Sequence, residues 1–297
     1  MIIFTHNDLD ALGCLLCFKK VGLPLDKVFT TNYGDLEEKV ETISKINDTK
    51  LLIADISFGT RPNLLLKLKT KFPKVVLIDH HMISPDVAKQ FQDAGIRTYL
   101  GSDCAAKICY KVFKILDSNL KETINKINVY DIWQRHDPRF KEMLIINEWF
   151  FSKTESLLEL VDLFEDFKFP KEINEFKPNF IKKFREDFQQ MKSVIVRKNS
   201  KVKITFVFTW QYFNLILTSE FKDGQDIVVG IQNGIMKVRI RDDSIIPNET
   251  RNKLRMFLVN SENFGHFNAF TFPIPDKSIK GMQEILNNII NFFEKEF

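Results

Sequence analysis

Short apolar runs alternate with helical patterns over the first 115 residues of this 297-residue chain. The apolar runs have the length of β-strands and lie at 2–5, 27–31, 51–56, 74–78 and 96–100. Amphipathic helical patterns occupy the intervals at 11–20, 35–46, 62–71, 85–94 and 103–117. This alternation predicts a mostly parallel sheet with helices on both faces. Right-handed crossovers then bring the carboxyl ends of the strands to one edge of the sheet, where such folds bind ligands.

The pattern of apolar positions changes twice further along the chain. From about 118 to 196 it is helical and rich in Phe, Lys and Glu, and from about 201 strand-like runs return, with a hairpin turn at Asn233-Gly234. A final amphipathic helix covers about 278–296. The sequence therefore predicts an α/β protein of three parts: a doubly wound N-terminal domain at 1–135, a helical connector at 136–200 and a smaller C-terminal α/β domain at 201–297.

Composition limits the class of protein more than its function. Hydrophobic residues make up 44% and charged residues 28%, as in ordinary globular proteins, and the net charge of +4 is too weak to indicate a polyanionic partner by itself. Cys14 and Cys17 fall on a predicted apolar helix, which favours buried thiols over a zinc site. The lack of a disulfide framework favours a reducing cytoplasm. No signal peptide is visible, and no apolar run reaches the ~20 residues of a membrane span.

Ionisable side chains follow three of the predicted strands. They are His6, Asp8 and Asp10 after the first strand, Asp55 after the third, and Asp79-His80-His81 after the fourth. Because these strand ends share one edge, the side chains are expected to converge, and carboxylates packed so closely repel one another unless cations neutralise them. Imidazole and carboxylate ligands without thiolate suit Mn²⁺, Fe²⁺, Co²⁺ or Zn²⁺ better than Ca²⁺. There are enough ligands for two ions, which together clamp phosphoryl oxygens.

Each of these groups has a simpler explanation when it is taken alone. Asp8 is a suitable N-cap for the next helix, Asp55 is a common turn residue, and Asp79 and His80 could form a hydrogen-bonded pair in the core. Their joint occurrence at successive strand ends favours the metal site.

The order of these groups on a strand–helix framework resembles the first three motifs of the DHH phosphoesterase superfamily. The matching residues are His6-Asn7-Asp8-Leu9-Asp10-Ala11, Asp55 and Asp79-His80-His81, and Asp131 in Tyr130-Asp131-Ile132-Trp133 matches the fourth motif. The resemblance implies a two-manganese site that hydrolyses phosphodiester or phosphoanhydride bonds. It implies that one ion is held by His6, Asp8 and Asp55. The other ion would be held by Asp10, Asp55, His80 and Asp131, with Asp55 bridging the two.

Three further residues near these motifs have expected roles. Asp79 is expected to orient His80 by accepting its other ring proton. His81 is expected to face the substrate, either contacting a phosphate oxygen or protonating the leaving group. Ser102, at the start of the helix after the fifth strand, is a candidate phosphate contact, with helix capping by Ser102 or Asp103 as the alternative.

The C-terminal part resembles the family's substrate-binding domain in one stretch. Its glycine-rich GGGH loop is matched by Gly265 and His266, while the preceding glycines are replaced by Asn263 and Phe264. Gly265, His266 and Asn268 are therefore candidate substrate contacts. A second candidate is the basic face of a predicted strand, because alternate residues share one face; a solvated basic edge is the alternative. Its members are Lys237, Arg239 and Arg241.

Together these features predict a divalent-metal-dependent phosphodiesterase with its active site in the cleft between the lobes. It would hydrolyse short oligonucleotides or linear and cyclic dinucleotides to mononucleotides, through attack by a hydroxide held between two metal ions. The expected cofactor is two Mn²⁺ ions, with Mg²⁺, Co²⁺ or another divalent metal as alternatives. A nucleotide phosphatase or inorganic pyrophosphatase of the same superfamily, and a nucleotide-binding sensor or sequestering protein without turnover, are the alternative functions. The expected partners are a short nucleic acid or nucleotide and, as one option, a second copy in a homodimer; no membrane partner is expected.

Overall fold

A computed structural model describes most of the chain. The described residues are 1–32, 34–134, 136–190, 194–199, 202–208, 226–232, 235–240, 246–247, 249–251, 253–254, 264–266, 269–273 and 279–296. The chain divides into two compact units, Met1–Asn179 and Phe180–Phe297.

The first unit is built on a five-stranded parallel sheet, as the alternating pattern predicts. Its strands are β1 (Ile2–His6), β2 (Val28–Thr31), β3 (Lys50–Ala54), β4 (Lys74–Asp79) and β5 (Arg97–Leu100). They lie in the order β2-β1-β3-β4-β5, and every neighbouring pair is parallel. The carboxyl ends of all five strands therefore meet at one edge.

Helices cover both faces of this sheet. They are α1 (Leu9–Lys20), α2 (Leu36–Ser44), α3 (Pro62–Lys71), α4 (Pro85–Asp93), α5 (Ala105–Val112) and α6 (Ser118–Asp131). Ile3 of β1 lies in a core with α1, α5 and α6, whereas its neighbours Ile2 and Phe4 lie in a second core with α2, α3 and α4. Burial on both faces explains why the inner strands β1, β3 and β4 read as apolar runs, whereas the edge strands β2 and β5 are mostly only partly buried.

The segment after α6 belongs to the first unit as far as Asn179, which lies inside its last helix. Its elements are α7 (Phe140–Phe151), α8 (Leu157–Asp162), a 3₁₀ turn (Glu165–Phe167) and α9 (Glu172–Gln190). Met143, Ile146 and Trp149 of α7 belong to the same core as α1. The boundary between the two units thus lies within the segment that the sequence predicts as a connector.

The second unit contains a six-stranded mixed sheet. Its strands are β6 (Val194–Asn199), β7 (Lys203–Phe208), β8 (Ile227–Gln232), β9 (Ile235–Ile240), β10 (Phe264–His266) and β11 (Ala269–Pro273), followed by α10 (Ile279–Glu296). The strand order is β10-β11-β9-β8-β7-β6, with β7 and β8 parallel and the other pairs antiparallel. Met236, Val238 and Ile240 alternate into a core that includes Ile289 of α10.

Two sequence expectations for the second unit have a different outcome. Strand β6 lies in the predicted helical connector, because its apolar run of Val194-Ile195-Val196 is too short to stand out beside a long helix. The predicted hairpin turn at Asn233-Gly234 lies outside the described residues. Among the residues that the structure describes, none of the helices combines the length and the apolarity needed to cross a bilayer.

Candidate metal centre

The residues of the predicted metal site lie at the carboxyl edge of the first sheet. His6 is the last residue of β1, Asp79 is the last residue of β4, and Asp55 directly follows β3. Asp8 and Asp10 lie at the start of α1, which follows β1. The crossovers of the sheet thus bring together groups that are up to 73 residues apart in the sequence.

His6 and Asp8 form a direct contact, with His6 Nδ1 2.7 Å from Asp8 Oδ2. The other oxygen of Asp8, Oδ1, accepts the backbone N–H of Ala11 at 3.0 Å, so Asp8 is the N-cap of α1. The capping explanation therefore accounts for only one of the two oxygens. Burial acts to lower the pKa of His6, but the charge of Asp8 and its hydrogen bond outweigh this effect and raise the pKa.

Asp55 has a left-handed backbone conformation, with φ of 58°. Aspartate is one of the few residues that tolerate this region, and the backbone N–H of Asp55 donates to Ile78 O at 3.0 Å, which ties the turn to β4. The residue is 2% exposed, and its buried Oδ2 atom has no hydrogen-bond partner among the described residues. Potential ligand atoms of His6, Asp8 and Asp55 all lie within 4.8 Å of one another.

His80 lies between the carboxylates of a second group. Its Nε2 atom is 3.4 Å from Asp55 Oδ1 and 3.6 Å from Asp10 Oδ2, and its Nδ1 atom is 3.4 Å from Asp131 Oδ2. Potential ligand atoms of Asp10, His80 and Asp131 again lie within 4.8 Å of one another. The two groups that the resemblance assigns to two separate ions are therefore both assembled, with Asp55 next to each.

Asp131 is held at the end of α6 by an unusual helix terminus. Two residues later, Trp133 has φ of 60°, a conformation that helix ends normally give to glycine. The N–H of Gln134 donates to Val129 O at 2.8 Å, which closes the last turn. The buried Trp133 ring packs edge-on against Phe140, at a centroid distance of 4.9 Å. Aromatic packing thus compensates for a strained backbone beside a candidate ligand.

The electrostatics of the cluster are those of a cation site. Burial, followed by the charges of Asp8, Asp10 and Asp131, raises the pKa of Asp55 well above its ordinary value. Burial and the charge of Asp131 raise the pKa of Asp10 to about 7, and burial and the charge of Asp8 raise that of Asp131 to about 7. Carboxyls that destabilise one another's ionised forms, together with a buried Asp55 oxygen lacking a protein donor, fit divalent cations.

Asp79 contacts a different histidine from the one expected. Its Oδ1 atom is 2.7 Å from His81 Nδ1 and accepts the backbone N–H of His80 at 2.8 Å, so Asp79 orients the His81 ring and not the His80 ring. The cause is local: the chain turns directly after β4, so that the backbone N–H of His81 also donates to Asp79 Oδ1, at 3.3 Å, and the His81 ring lies beside this carboxylate. Burial acts to lower the pKa of His81, but the charge of Asp79 and this hydrogen bond raise it to about 9.

The candidate contacts outside this cluster have varied surroundings. Ser102 is exposed, and α5 begins after Cys104 without a side-chain cap. In the second unit, Arg239 is 8% exposed and donates to Val238 O at 3.1 Å, so a solvated edge does not describe it, whereas Lys237 is half-buried. Gly265 and His266 lie on β10. Arg241 and Asn268 lie outside the described residues.

One part of the site is not anticipated by the sequence reasoning. The backbone N–H groups of Ala105 and Ala106 donate to Asp10 Oδ2 and Oδ1 at 2.7 and 2.9 Å, and the neighbouring N–H of Cys104 donates to Asn128 Oδ1 at 2.8 Å. The available signal was the run of small residues that opens a helix just after a strand end.

Comparison with solved structures finds chains of the same architecture. A DHH domain described as a member of the s1p family of ribosomal proteins aligns with a TM-score of 0.58 at 15% identity, covering 99% of this chain and 86% of that one. The pGpG-specific phosphodiesterase PggH from Vibrio cholerae aligns with a TM-score of 0.56 at 14% identity, covering 98% of each chain. The chain has the DHH-domain fold. The fold that the motifs predict is thus confirmed.

A larger protein shares the DHH fold. RecJ from Thermus thermophilus, in complex with Mn²⁺, aligns with a TM-score of 0.50 at 11% identity over the whole of this chain, which spans 52% of RecJ. No protein-family model and no curated protein sequence matches this chain. At these identities the likeness establishes the DHH fold, and the chemistry has to be argued from the side chains.

Proposed function

We propose that this chain is a divalent-metal-dependent phosphodiesterase that hydrolyses short oligonucleotides or linear and cyclic dinucleotides to mononucleotides. The observation that carries the proposal is the assembly of two groups of ligand atoms at the carboxyl edge of one sheet, one of which contains Asp55 while the other contains His80, whose Nε2 is 3.4 Å from Asp55 Oδ1. In two-metal enzymes, two divalent ions about 3.5–4 Å apart bind the attacking and leaving oxygens of a phosphoryl group.

The proposed ligands follow from the two groups. His6, Asp8 and Asp55 would hold one ion, and Asp10, Asp55, His80 and Asp131 would hold the other. When bound, such ions lower the pKa of water and neutralise charge on phosphoryl oxygens. Manganese is the preferred choice because the ligands combine imidazole with carboxylate, and Mg²⁺ or Co²⁺ are alternatives.

His81 is the proposed contact with the substrate. Asp79 contacts the His81 ring at Nδ1 and raises its pKa, which supports His81 as the donor of a proton to the leaving oxygen. We assign Nε2 as the donating atom, because Nδ1 is engaged by Asp79. Cations bound nearby would lower this pKa towards neutrality, since they carry the same sign of charge.

Two observations favour a nucleotide over pyrophosphate as the substrate. PggH, which has the same fold, is described as a pGpG-specific phosphodiesterase. In the second unit, strand register places the position of His266 opposite Ala269, and Ala269 opposite Arg239, so these residues form one row across three strands. Arginine and histidine are residue types that bind phosphate through charge-assisted hydrogen bonds. We therefore propose substrate-binding roles for His266 and Arg239, with Gly265, Asn268, Lys237, Arg241 and Ser102 as further candidates.

The test is an activity screen with added Mn²⁺. Wild-type protein would be incubated with pGpG, unphosphorylated dinucleotides, tri- to pentanucleotides, cyclic dinucleotides and pyrophosphate, and the products would be separated by ion-exchange chromatography. The double variant Asp79→Ala, His80→Ala should lose all hydrolysis. Asp26→Asn removes a carboxylate at an exposed position in the loop before β2 and is the matched control, which should retain wild-type activity.

The outcomes separate the competing functions. Release of mononucleotide from dinucleotides supports the phosphodiesterase. Release of phosphate from pyrophosphate alone would favour a pyrophosphatase. Tight binding of a nucleotide without turnover of any compound would favour a sensor or sequestering protein.

A further inference from the structure

The first turn of α5 directs its backbone donors at side chains of the same chain. Helix starts normally present free N–H groups that need acceptors. Here, the N–H of Cys104 donates to Asn128 Oδ1 at 2.8 Å, and those of Ala105 and Ala106 donate to the two oxygens of Asp10 at 2.7 and 2.9 Å. All three bonds are buried. These donors therefore bind Asn128 and Asp10 and not an anion from solution.

This arrangement fixes the Asp10 carboxylate. Each oxygen accepts one N–H, so rotation of the carboxylate about its bond to the chain would break both hydrogen bonds. Each oxygen keeps a second lone pair, and Oδ2 lies 3.6 Å from Nε2 of His80, another proposed metal ligand. The positive end of the α5 dipole also favours the ionised form that a metal requires.

A close approach of α1 and α5 makes this contact feasible. Gly13 lies on α1, three residues after Asp10 and hence on the same helix face. A Cβ atom at Gly13 would lie 2.7 Å from Ala106 Cβ, and 3.1 Å from Cδ1 of both Ile124 and Ile127. Glycine inside a helix destabilises it relative to alanine, so its presence here has a structural reason.

Asn128 connects the same helix start to α6. It is 2% exposed and lies three residues before Asp131, so the two side chains project from one face of α6. By accepting the N–H of Cys104, Asn128 sets the first turn of α5 against the helix that carries Asp131. Two of the three carboxylates next to His80, those of Asp10 and Asp131, are thereby positioned with respect to α5.

We propose that Gly13, Ala106 and Asn128 are positioning residues that hold the start of α5 against Asp10, so that this carboxylate meets the metal in one orientation. The inference rests on the proposed metal-dependent function. It adds residues that lie outside both groups of proposed metal ligands.

The decisive variant is Gly13→Ala. Carbon atoms in contact are about 3.5–4.0 Å apart, so α1 and α5 must separate by about 1 Å. This separation lengthens the two hydrogen bonds that the N–H groups of Ala105 and Ala106 donate to Asp10. Loss of partners that orient a metal ligand lowers metal affinity by about 10- to 100-fold. We expect a loss of this size for Mn²⁺, measured by isothermal titration calorimetry on chelator-treated protein.

A second change separates positioning from general packing. Adding Ala106→Gly to Gly13→Ala removes the Cβ atom against which the new methyl group packs, while the backbone N–H of residue 106 remains. Mn²⁺ affinity should recover in this double variant. Leu65→Ala truncates a buried side chain in the core on the other face of the sheet and controls for lost stability; it should leave Mn²⁺ affinity unchanged.

The outcomes decide the proposal. If Gly13→Ala binds Mn²⁺ as tightly as wild type, or if the double variant regains its melting temperature without its affinity, the positioning role is refuted. If Gly13→Ala does not fold, Asn128→Ala carries the same test, since it should weaken Mn²⁺ binding without altering α1. Wild-type protein that binds no Mn²⁺ would refute the metal site itself. If the wild type binds Mn²⁺ and the variant binds it equally well, only the positioning role is refuted.

Discussion

Replacing Asp55 by asparagine is expected to shift the stability of chelator-treated protein and of Mn²⁺-loaded protein in opposite directions. Asparagine has nearly the same shape and also tolerates the left-handed conformation of this residue, with φ of 58°. The substitution therefore removes one negative charge and leaves the turn after β3 intact. The charge removed is repelled by Asp8, Asp10 and Asp131.

The size of the effect follows from the crowding of these groups. Two like charges 4 Å apart repel by about 4 kcal/mol at the effective dielectric constant of about 20 that suits protein sites. Uptake of a proton limits this penalty, because the pKa of Asp55 is raised. We expect Asp55→Asn to stabilise the chelator-treated protein by about 1–3 kcal/mol, or about 2–4 °C in melting temperature for each kcal/mol.

In Mn²⁺, the wild type should be more stable than Asp55→Asn. An ion at a concentration 100 times its dissociation constant stabilises the folded protein by about 2.7 kcal/mol. Asp55 lies next to both groups of ligands, so asparagine should weaken both ions and lose most of this gain. Thermal unfolding of the wild type and Asp55→Asn, in EDTA and in Mn²⁺, measures this reversal of their melting temperatures. Asp26→Asn, which removes an exposed charge, should have the melting temperature of the wild type under both conditions.

One result would refute the reasoning. If Asp55→Asn is less stable than wild type in EDTA by more than about 1 kcal/mol, while Asp26→Asn is unchanged, then the Asp55 carboxylate makes a favourable interaction worth about a hydrogen bond. The argument that its charge requires cations would then be wrong.

Other expectations concern the neighbours of Asp55. His81→Gln should lower kcat by about 10²–10⁴-fold with little change in Mn²⁺ affinity, because Asp79 contacts this ring and its proposed role is proton donation. An equal loss of Mn²⁺ affinity would instead identify His81 as a metal ligand. The chelator-treated protein should need less urea to unfold at pH 8 than at pH 5. Burial raises the pKa of Asp10 and Asp131 to about 7, so between about pH 4 and 7 the folded state holds protons that the unfolded chain releases. The stability that these protons give is lost as the pH rises through 7. A urea midpoint of unfolding that increases with pH would contradict this. Trp133→Gly should destabilise by about 2 kcal/mol in urea unfolding, less than the 3–5 usual for a buried tryptophan, because glycine relieves the left-handed strain; a loss above about 5 kcal/mol would show that no strain is present.

The sequence predicts the first sheet well because its inner strands are buried on both sides. A strand such as Lys74–Asp79 reads as an unbroken apolar run, and the ionisable residues that end it are conspicuous for that reason. The order of such strands also suffices to bring His6, Asp55 and His80 to one edge. These features depend on topology and not on the details of side-chain packing.

Features that depend on tertiary detail could not be predicted in the same way. Which histidine Asp79 contacts is decided by the path of a two-residue turn, and both choices fit the same sequence. The pattern at 103–117 resembles one helix, yet α5 ends at Val112, and Lys114 has a left-handed conformation with φ of 52° before α6 begins. The fit of Gly13 against Ala106 joins residues 93 positions apart, and a single sequence carries no signal for it.

The order of the strands has a further consequence for how this site arose. α1, which follows β1, packs on one face of the sheet, whereas α3, which follows the adjacent β3, packs on the other. Where neighbouring strands send their connections to opposite sides, a topological switch point leaves a crevice that no helix fills. His6 and Asp55 lie on opposite sides of this crevice, at the ends of β1 and β3, so the crevice follows from the topology of the sheet. New chemistry could therefore evolve here by changing a few residues at strand ends, without altering the architecture beneath them.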